Sequence, residues 1–219
     1  MTVPDPDDAA PPAGDRSLRW LVVLLVSIGL LGLALVAFGS GKGGQPENAG
    51  GQDVGGQGAD IGGPFMLIAP DGSPFPSTKL AGKPFAIFFG FTRCPDVCPT
   101  SLARMARLRK QLGADGGRFE IVFVSVDPGH DTPADVGRYA AMFGTPIHGL
   151  TGTGAQLAAI EKAYGVYVQK VPQPGGDYMI DHTAAIYLMD AAGRFADTIN
   201  FQEPEAESLA KLKRLVERS

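Results

Sequence analysis

Apolar residues are distributed along this chain in three regimes. An uncharged run from Trp20 to Phe38 comes first, a stretch over 39–63 with almost no large apolar side chain follows, and from Pro64 onward short apolar runs alternate with polar turns. In the last regime Phe65-Met-Leu-Ile-Ala69 and Ser73-Pro-Phe75 flank Pro70-Asp71-Gly72, a pattern that predicts a small hairpin. Phe85 to Phe91 is a near-continuous aromatic and aliphatic run bounded by Pro84, as expected of a buried strand. The period then lengthens. Leu102, Met105, Ala106 and Leu112 lie near one helical face, Arg104, Arg107, Arg109 and Lys110 mostly off it, and Pro99 suits the first helical position. Phe119 to Val126 reads as a second buried strand, parallel to the first. Thr132-Pro-Ala-Asp135 opens a helix with a capping box in which Asp replaces the usual Glu. Ile147 to Leu150 predicts a short strand, and 153–164 a helix stopped at Gly165. Extended chain at Val166-Tyr-Val168 leads into a turn-rich loop over 172–177. His182 stands at the start of the penultimate strand, which forms a hairpin with 195–199, and 204–218 predicts an amphipathic closing helix.

Strand, helix, strand, helix, then an antiparallel hairpin and a closing helix is the order of a thioredoxin-like α/β domain, a central mixed sheet flanked by helices. Residues 64–219 accommodate one such domain. The run over 20–38, at about 1.5 Å per residue, matches the roughly 30 Å of a bilayer core, so it predicts one transmembrane helix. Arg16 and Arg19 precede it and only Lys42 follows closely, which places the tail 1–19 in the cytoplasm and the domain outside. A cleavable signal peptide is the alternative, but the run exceeds the roughly 7–15 apolar residues usual there and only a weak small-residue site surrounds Ala37-Phe38-Gly39. Asp5, Asp7, Asp8 and Asp15 argue against a mitochondrial transit peptide. The expectation is a bacterial cytoplasmic membrane, a single pass, and a domain on the outer, periplasmic side. The Gly-, Gln- and Asn-rich segment 39–63 reads as a flexible linker. A net charge of −4 without a basic stripe gives no case for nucleic acid.

The candidate chemistry is concentrated at Cys94 and Cys98, the chain's two cysteines, on the turn between the first buried strand and its helix. Helix N-termini favour thiolates. On a helix this spacing sets the Cβ atoms about 5–6 Å apart, wider than the roughly 3.5–4.5 Å of a disulfide, so it leans towards a metal without excluding reversible oxidation. Two thiolates leave a metal under-coordinated. His130 and His148 read as surface or packing residues, whereas His182 enters its strand opposite the cysteine turn, where a ligand and a satisfied core histidine are both open. Asp127 and Asp181, at strand ends, read as turn carboxylates before partners that orient His182. Met179 reads as packing before a thioether ligand.

Three segments carry a resemblance. Gly90-Phe-Thr-Arg-Cys-Pro-Asp-Val-Cys-Pro99, Val124-Ser-Val-Asp-Pro128 and Asp177-Tyr-Met-Ile-Asp-His-Thr183 resemble the SCO/SenC family of copper proteins. The resemblance spans the domain and implies a thioredoxin-like fold in which Cys94, Cys98 and His182 bind copper for assembly of the dinuclear copper centre of cytochrome c oxidase. Many relatives have His where this chain has Arg93, a position that is not a ligand in the family pattern. Thiolates select Cu(I) and an imidazole also accepts Cu(II), so this set suits both states, whereas zinc would want a fourth ligand. The resemblance implies a metallochaperone whose partners are the copper-bearing oxidase subunit and a periplasmic copper donor. The enzymatic alternative is a membrane-tethered thiol:disulfide oxidoreductase, with Cys94 or Cys98 attacking, that reduces cysteines of the oxidase copper site or of other exported proteins. A peroxiredoxin-like peroxidase ranks below both, because no Pro precedes Thr92-Arg93-Cys94 in the required place.

Overall fold

A computed structural model describes residues 61–218, and the layers within it are arranged around one strand in which every residue is buried. In chain order the strands and helices are β1 (Met66–Ile68), β2 (Pro74–Pro76), β3 (Phe85–Gly90), α1 (Val97–Gln111), β4 (Glu120–Ser125), α2 (Pro133–Ala141), β5 (His148–Leu150), α3 (Gly154–Tyr164), β6 (Val168–Pro172), β7 (Tyr178–His182), β8 (Ala185–Met189), β9 (Phe195–Asn200) and α4 (Glu205–Glu217). The main sheet has the order β5-β4-β3-β8-β9. β3 pairs in parallel with β4 and antiparallel with β8, so the all-apolar β3 lies at the centre of a mixed sheet. This is the expected thioredoxin-like arrangement. The anticipated tail, membrane helix and most of the linker lie outside the described residues. Among the described residues no helix is long and apolar enough to cross a membrane.

The local signals operate as their chemistry requires. Thr132 accepts from the Asp135 N–H while the Asp135 carboxylate accepts from the Thr132 N–H, closing the box that starts α2. Thr153 and Gln156 do the same for α3, which stops at Gly165 in the left-handed region with φ 63°. β1 and β2 form the small hairpin flanking Pro70-Asp71-Gly72.

Two expectations are corrected. α1 begins at Val97, so Pro99 is its third residue and Cys94 lies in the preceding turn; helical geometry does not govern the Cys94–Cys98 pair. His182 does not begin the penultimate strand: it ends β7, which pairs with β6 in a separate two-stranded sheet, and β8 starts only at Ala185. The apolar run from Thr183 conceals a change of sheet, because hydrophobic pattern reports burial and not the pairing partner.

Arg104, expected off the apolar face of α1, is buried with 8% exposure. Its guanidinium donates to the Asn200 and Phe201 carbonyls at 3.1 Å each, and to the Glu203 carbonyl and Ser208 Oγ. Ser208 in turn donates to Glu203 at 2.9 Å, and Lys211 donates to the same carboxylate at 2.6 Å. One buried cation thus satisfies the carbonyls of the β9–α4 connection, which would otherwise face the interior unpaired. Arg104→Ala strands those acceptors, and chemical denaturation should show a loss of about 2–4 kcal/mol, with the unfolding slope unchanged.

Candidate metal centre

Three side chains from two distant segments converge where β3 ends. Cys98 is the second residue of α1 and is fully buried, its sulfur lying beneath the last residue of β3. A Cβ built on Gly90 would come within 2.6 Å of that sulfur and 3.1 Å of the Phe123 ring, so only glycine leaves room for the thiol. Cys94 is partly exposed, and its sulfur accepts the Cys98 N–H at 3.4 Å. Asp96, the residue before α1, makes no side-chain cap bond, so the Cys94 sulfur accepts at the helix N-terminus in its place.

The imidazole of His182 completes the group. Its Nδ1 lies 3.0 Å from the Thr183 carbonyl, an acceptor, which assigns the ring proton to Nδ1 and leaves the Nε2 lone pair free. Nε2 lies 3.6 Å from Cys98 Sγ. Phe88 and Phe91 present their rings edge-on to the imidazole, with centroids at 6.0 and 5.9 Å, and form a dry wall behind it. The two sulfurs and the ring nitrogen all lie within 4.8 Å of one another. Bonds of about 2.0–2.3 Å to one ion would set such donors roughly 3.5–4 Å apart, so small side-chain rotations bring this set onto a metal.

Both cysteines are free thiols. A hydrogen bond from the Cys98 thiol is the largest influence on Cys94 and outweighs burial; with help from the Cys98 and Asp96 amides it lowers the Cys94 pKa to about 4. Cys98 is pushed up, by donating to Cys94 and by burial. The pair therefore shares one proton, with the outer sulfur ionised and the inner one protonated.

The remaining sequence candidates are placed elsewhere. His148 packs against Phe75 with the rings tilted and their centroids 5.2 Å apart, and faces Glu120 at 3.3 Å. His130 lies beside Asp127, whose buried carboxylate accepts from Tyr178 Oη at 2.5 Å. Asp127 is thus a structural acceptor within a side-chain network, whereas Asp181 is exposed and half-buried Met179 packs against the core.

A family model described as SCO1/SenC matches residues 54–217. The chain belongs to the SCO1/SenC family. Among SCO1/SenC relatives, it is 36% identical over 158 residues to Protein SCO2, mitochondrial, of Saccharomyces cerevisiae, a match covering 71% of this chain and 52% of that protein. The chain thus spans about half the length of that relative. It is 35% identical to the SCO2-like protein RC0895 of Rickettsia conorii, covering 80% of this chain and 84% of the relative. The structure of Bradyrhizobium japonicum ScoI with copper bound superposes with a TM-score of 0.65 at 45% identity, covering 71% of this chain and 99% of that one.

Two residues of this SCO1/SenC site escape a reading of the sequence. Gly90 carries a signal, a glycine closing an otherwise bulky strand, which the hydrophobic pattern absorbs into the run. Asp131, in sequence only the residue before a helix cap, is 2% exposed and accepts from the Thr92 N–H at 2.8 Å, Thr92 Oγ1 at 2.6 Å and Ser125 Oγ at 2.5 Å. It stitches the cysteine turn to the end of β4. Two outcomes are expected. Alkylation of the metal-free protein by iodoacetamide, followed by mass spectrometry, should modify Cys94 far faster than Cys98, with a Cys94 rate that stays level from neutral pH and falls only as pH drops through about 4. Gly90→Ala should displace the Cys98 sulfur and weaken metal binding about 10-fold or more in a chelator competition, whereas Gly154→Ala, at the start of α3 with open space around it, should not.

Proposed function

We propose that this chain binds one copper ion through Cys94, Cys98 and His182 and passes it to the copper-bearing subunit of cytochrome c oxidase. SCO1/SenC proteins are copper-binding proteins of cytochrome c oxidase assembly, and the relative from Bradyrhizobium japonicum holds copper. The observation that carries the reading is the donor set itself: two sulfurs and an imidazole nitrogen within 4.8 Å, the nitrogen's lone pair already turned inward. Soft sulfur favours Cu(I) and the imidazole admits Cu(II). A three-donor site with a half-exposed edge retains the ion and leaves it reachable by an incoming ligand.

The rest of the chain fits delivery at a membrane. Residues 20–38 anchor the protein in the bacterial cytoplasmic membrane, 39–63 form the linker, and the domain 64–219 works on the outer side. A tether confines donor and acceptor to one surface and raises their effective concentration. A periplasmic copper chaperone is the natural source of the ion.

The lowered pKa of Cys94 also favours a second reading, as a thiol:disulfide oxidoreductase. Its thiolate attacks a partner disulfide, giving a mixed disulfide. Cys98 then attacks the Cys94 sulfur, its proton passes to the departing partner thiolate, and two electrons move to the partner as the Cys94–Cys98 disulfide forms. The same pKa argues against reduction as the main role, because a thiolate this stable is a weak nucleophile and a good leaving group, which holds the pair in its reduced, copper-ready form.

Copper titration of the full chain in detergent decides between the readings. Wild type should take up one ion, while Cys94→Ser, Cys98→Ser and His182→Ala each lose tight binding. Full binding without His182, or no binding in wild type together with insulin reduction, would favour the oxidoreductase. Because Cys94 is already ionised at neutral pH and Cys98 is not, each ion bound should release one proton, and affinity should fall about tenfold for each unit by which pH is lowered. Calorimetry in buffers of different ionisation enthalpy counts that proton.

A further inference from the structure

His182 is delivered by a hairpin that the main sheet does not hold. β6 and β7 pair only with each other, and of the residues in these two strands only Ile180 is buried. At the near end, Thr183 and Tyr167 exchange bonds of 3.1 and 3.0 Å, and the chain continues into β8. The far end, around Asp177 and Tyr178, needs another anchor if the imidazole is to stand in one place.

Arg93, the residue before Cys94, supplies it. Its guanidinium donates to both oxygens of Asp177, at 2.9 and 3.4 Å, and lies 3.7 Å from the buried carboxylate of Asp127. Asp127 accepts from Tyr178 Oη at 2.5 Å on one oxygen, and its other oxygen lies 2.9 Å from His130 Nδ1. The same nitrogen is 2.7 Å from Arg93, and it cannot both donate to Asp127 and accept from Arg93. Donation to the buried carboxylate is the assignment that satisfies Asp127, leaving Arg93 as the neighbouring cation. The Tyr178 ring is bracketed by Lys170, 4.1 Å from its centroid, and by the His130 ring at 4.7 Å. A Cβ on Gly129 would meet Tyr178 Oη at 2.8 Å, so this loop closes tightly over the ring. A lone exposed ion pair contributes little, but this one is bidentate and continuous with a buried carboxylate.

We propose that Arg93 is a positioning residue for copper: it clamps the free end of the β6–β7 hairpin to the cysteine turn and so sets His182 Nε2 against the two sulfurs. It touches no metal and acts through Asp177 and the strand that ends in His182. The inference rests on the copper reading above, and its metal-free arm is independent of that reading. Lysine offers one point charge where arginine offers a planar fork, so it cannot reproduce the clamp.

The test compares wild type with Arg93→Ala, Arg93→Lys and Asp177→Asn, full chain in detergent. In the metal-free proteins, amide hydrogen exchange over 178–182 should quicken in Arg93→Ala and Asp177→Asn and stay unchanged over 85–90, with the urea midpoint unmoved. With copper loaded, transfer to a chelator should speed up about 10- to 100-fold in Arg93→Ala and less in Arg93→Lys, and the thiolate-to-Cu(II) absorption band should shift. The Arg93→Ala/Asp177→Asn double variant should be no worse than either single one. Unchanged exchange over 178–182 overturns the clamp. Faster exchange with unchanged copper release and an unmoved absorption band overturns the positioning role. Failure of wild type to bind copper overturns the metal reading instead, and the exchange data still decide the clamp.

Discussion

The approach of Cys98 Sγ to His182 Nε2, 3.6 Å across a sequence separation of 84 residues, is the contact that assembles the candidate metal centre. The two groups are held by different means. Cys98 belongs to the core: it sits at the start of α1, under Gly90, against aromatic side chains of β3 and β4, and it can move only if the core does. His182 belongs to a surface hairpin, fixed in tautomer by its neighbour's carbonyl and in position by what the hairpin touches. The site therefore has one rigid half and one adjustable half. The proposed copper delivery would be well served by that division, since an entirely rigid cage would resist exchange and an entirely loose one would not preset the donors.

Much of this is legible in the chain. The buried strands, the Thr132 capping box, the glycine stop of α3 and the closing helix follow from period and cap chemistry, because each is decided within a few residues. The cysteine pair and His182 are visible as reactive side chains whose motifs resemble one family. The less legible features depend on partners remote in sequence. Arg104 looks like one more solvent-facing charge on α1, and only the carbonyls near residues 200–203 explain its burial. The separate β6–β7 sheet is hidden for the same reason, since the apolar run through β8 does not say where pairing changes. Asp131 reads as helix-start punctuation, yet its carboxylate holds the cysteine turn against β4. Pattern reports burial of a segment, and these residues are defined by what they satisfy.

The unequal state of the two sulfurs follows from their unequal surroundings. Cys94, partly exposed at a helix N-terminus, accepts hydrogen bonds from the Cys98 thiol and amide and stays ionised; Cys98, buried among aromatic rings, keeps the proton. In a dithiol serving mainly to reduce others, the attacking sulfur would want a pKa near the ambient pH, where thiolate fraction and nucleophilicity are best combined. Here the outer sulfur lies well below that. The ionised Cys94 and the free Nε2 of His182 are two donors ready without proton loss, and both are at the accessible edge. In the proposed copper site, an ion arriving there would meet them first and engage the buried sulfur last, on release of its proton. In the proposed delivery, departure would reverse the order: an acceptor's ligands would first replace the outer donors, and the strength with which the hairpin keeps His182 in place would govern how readily that happens.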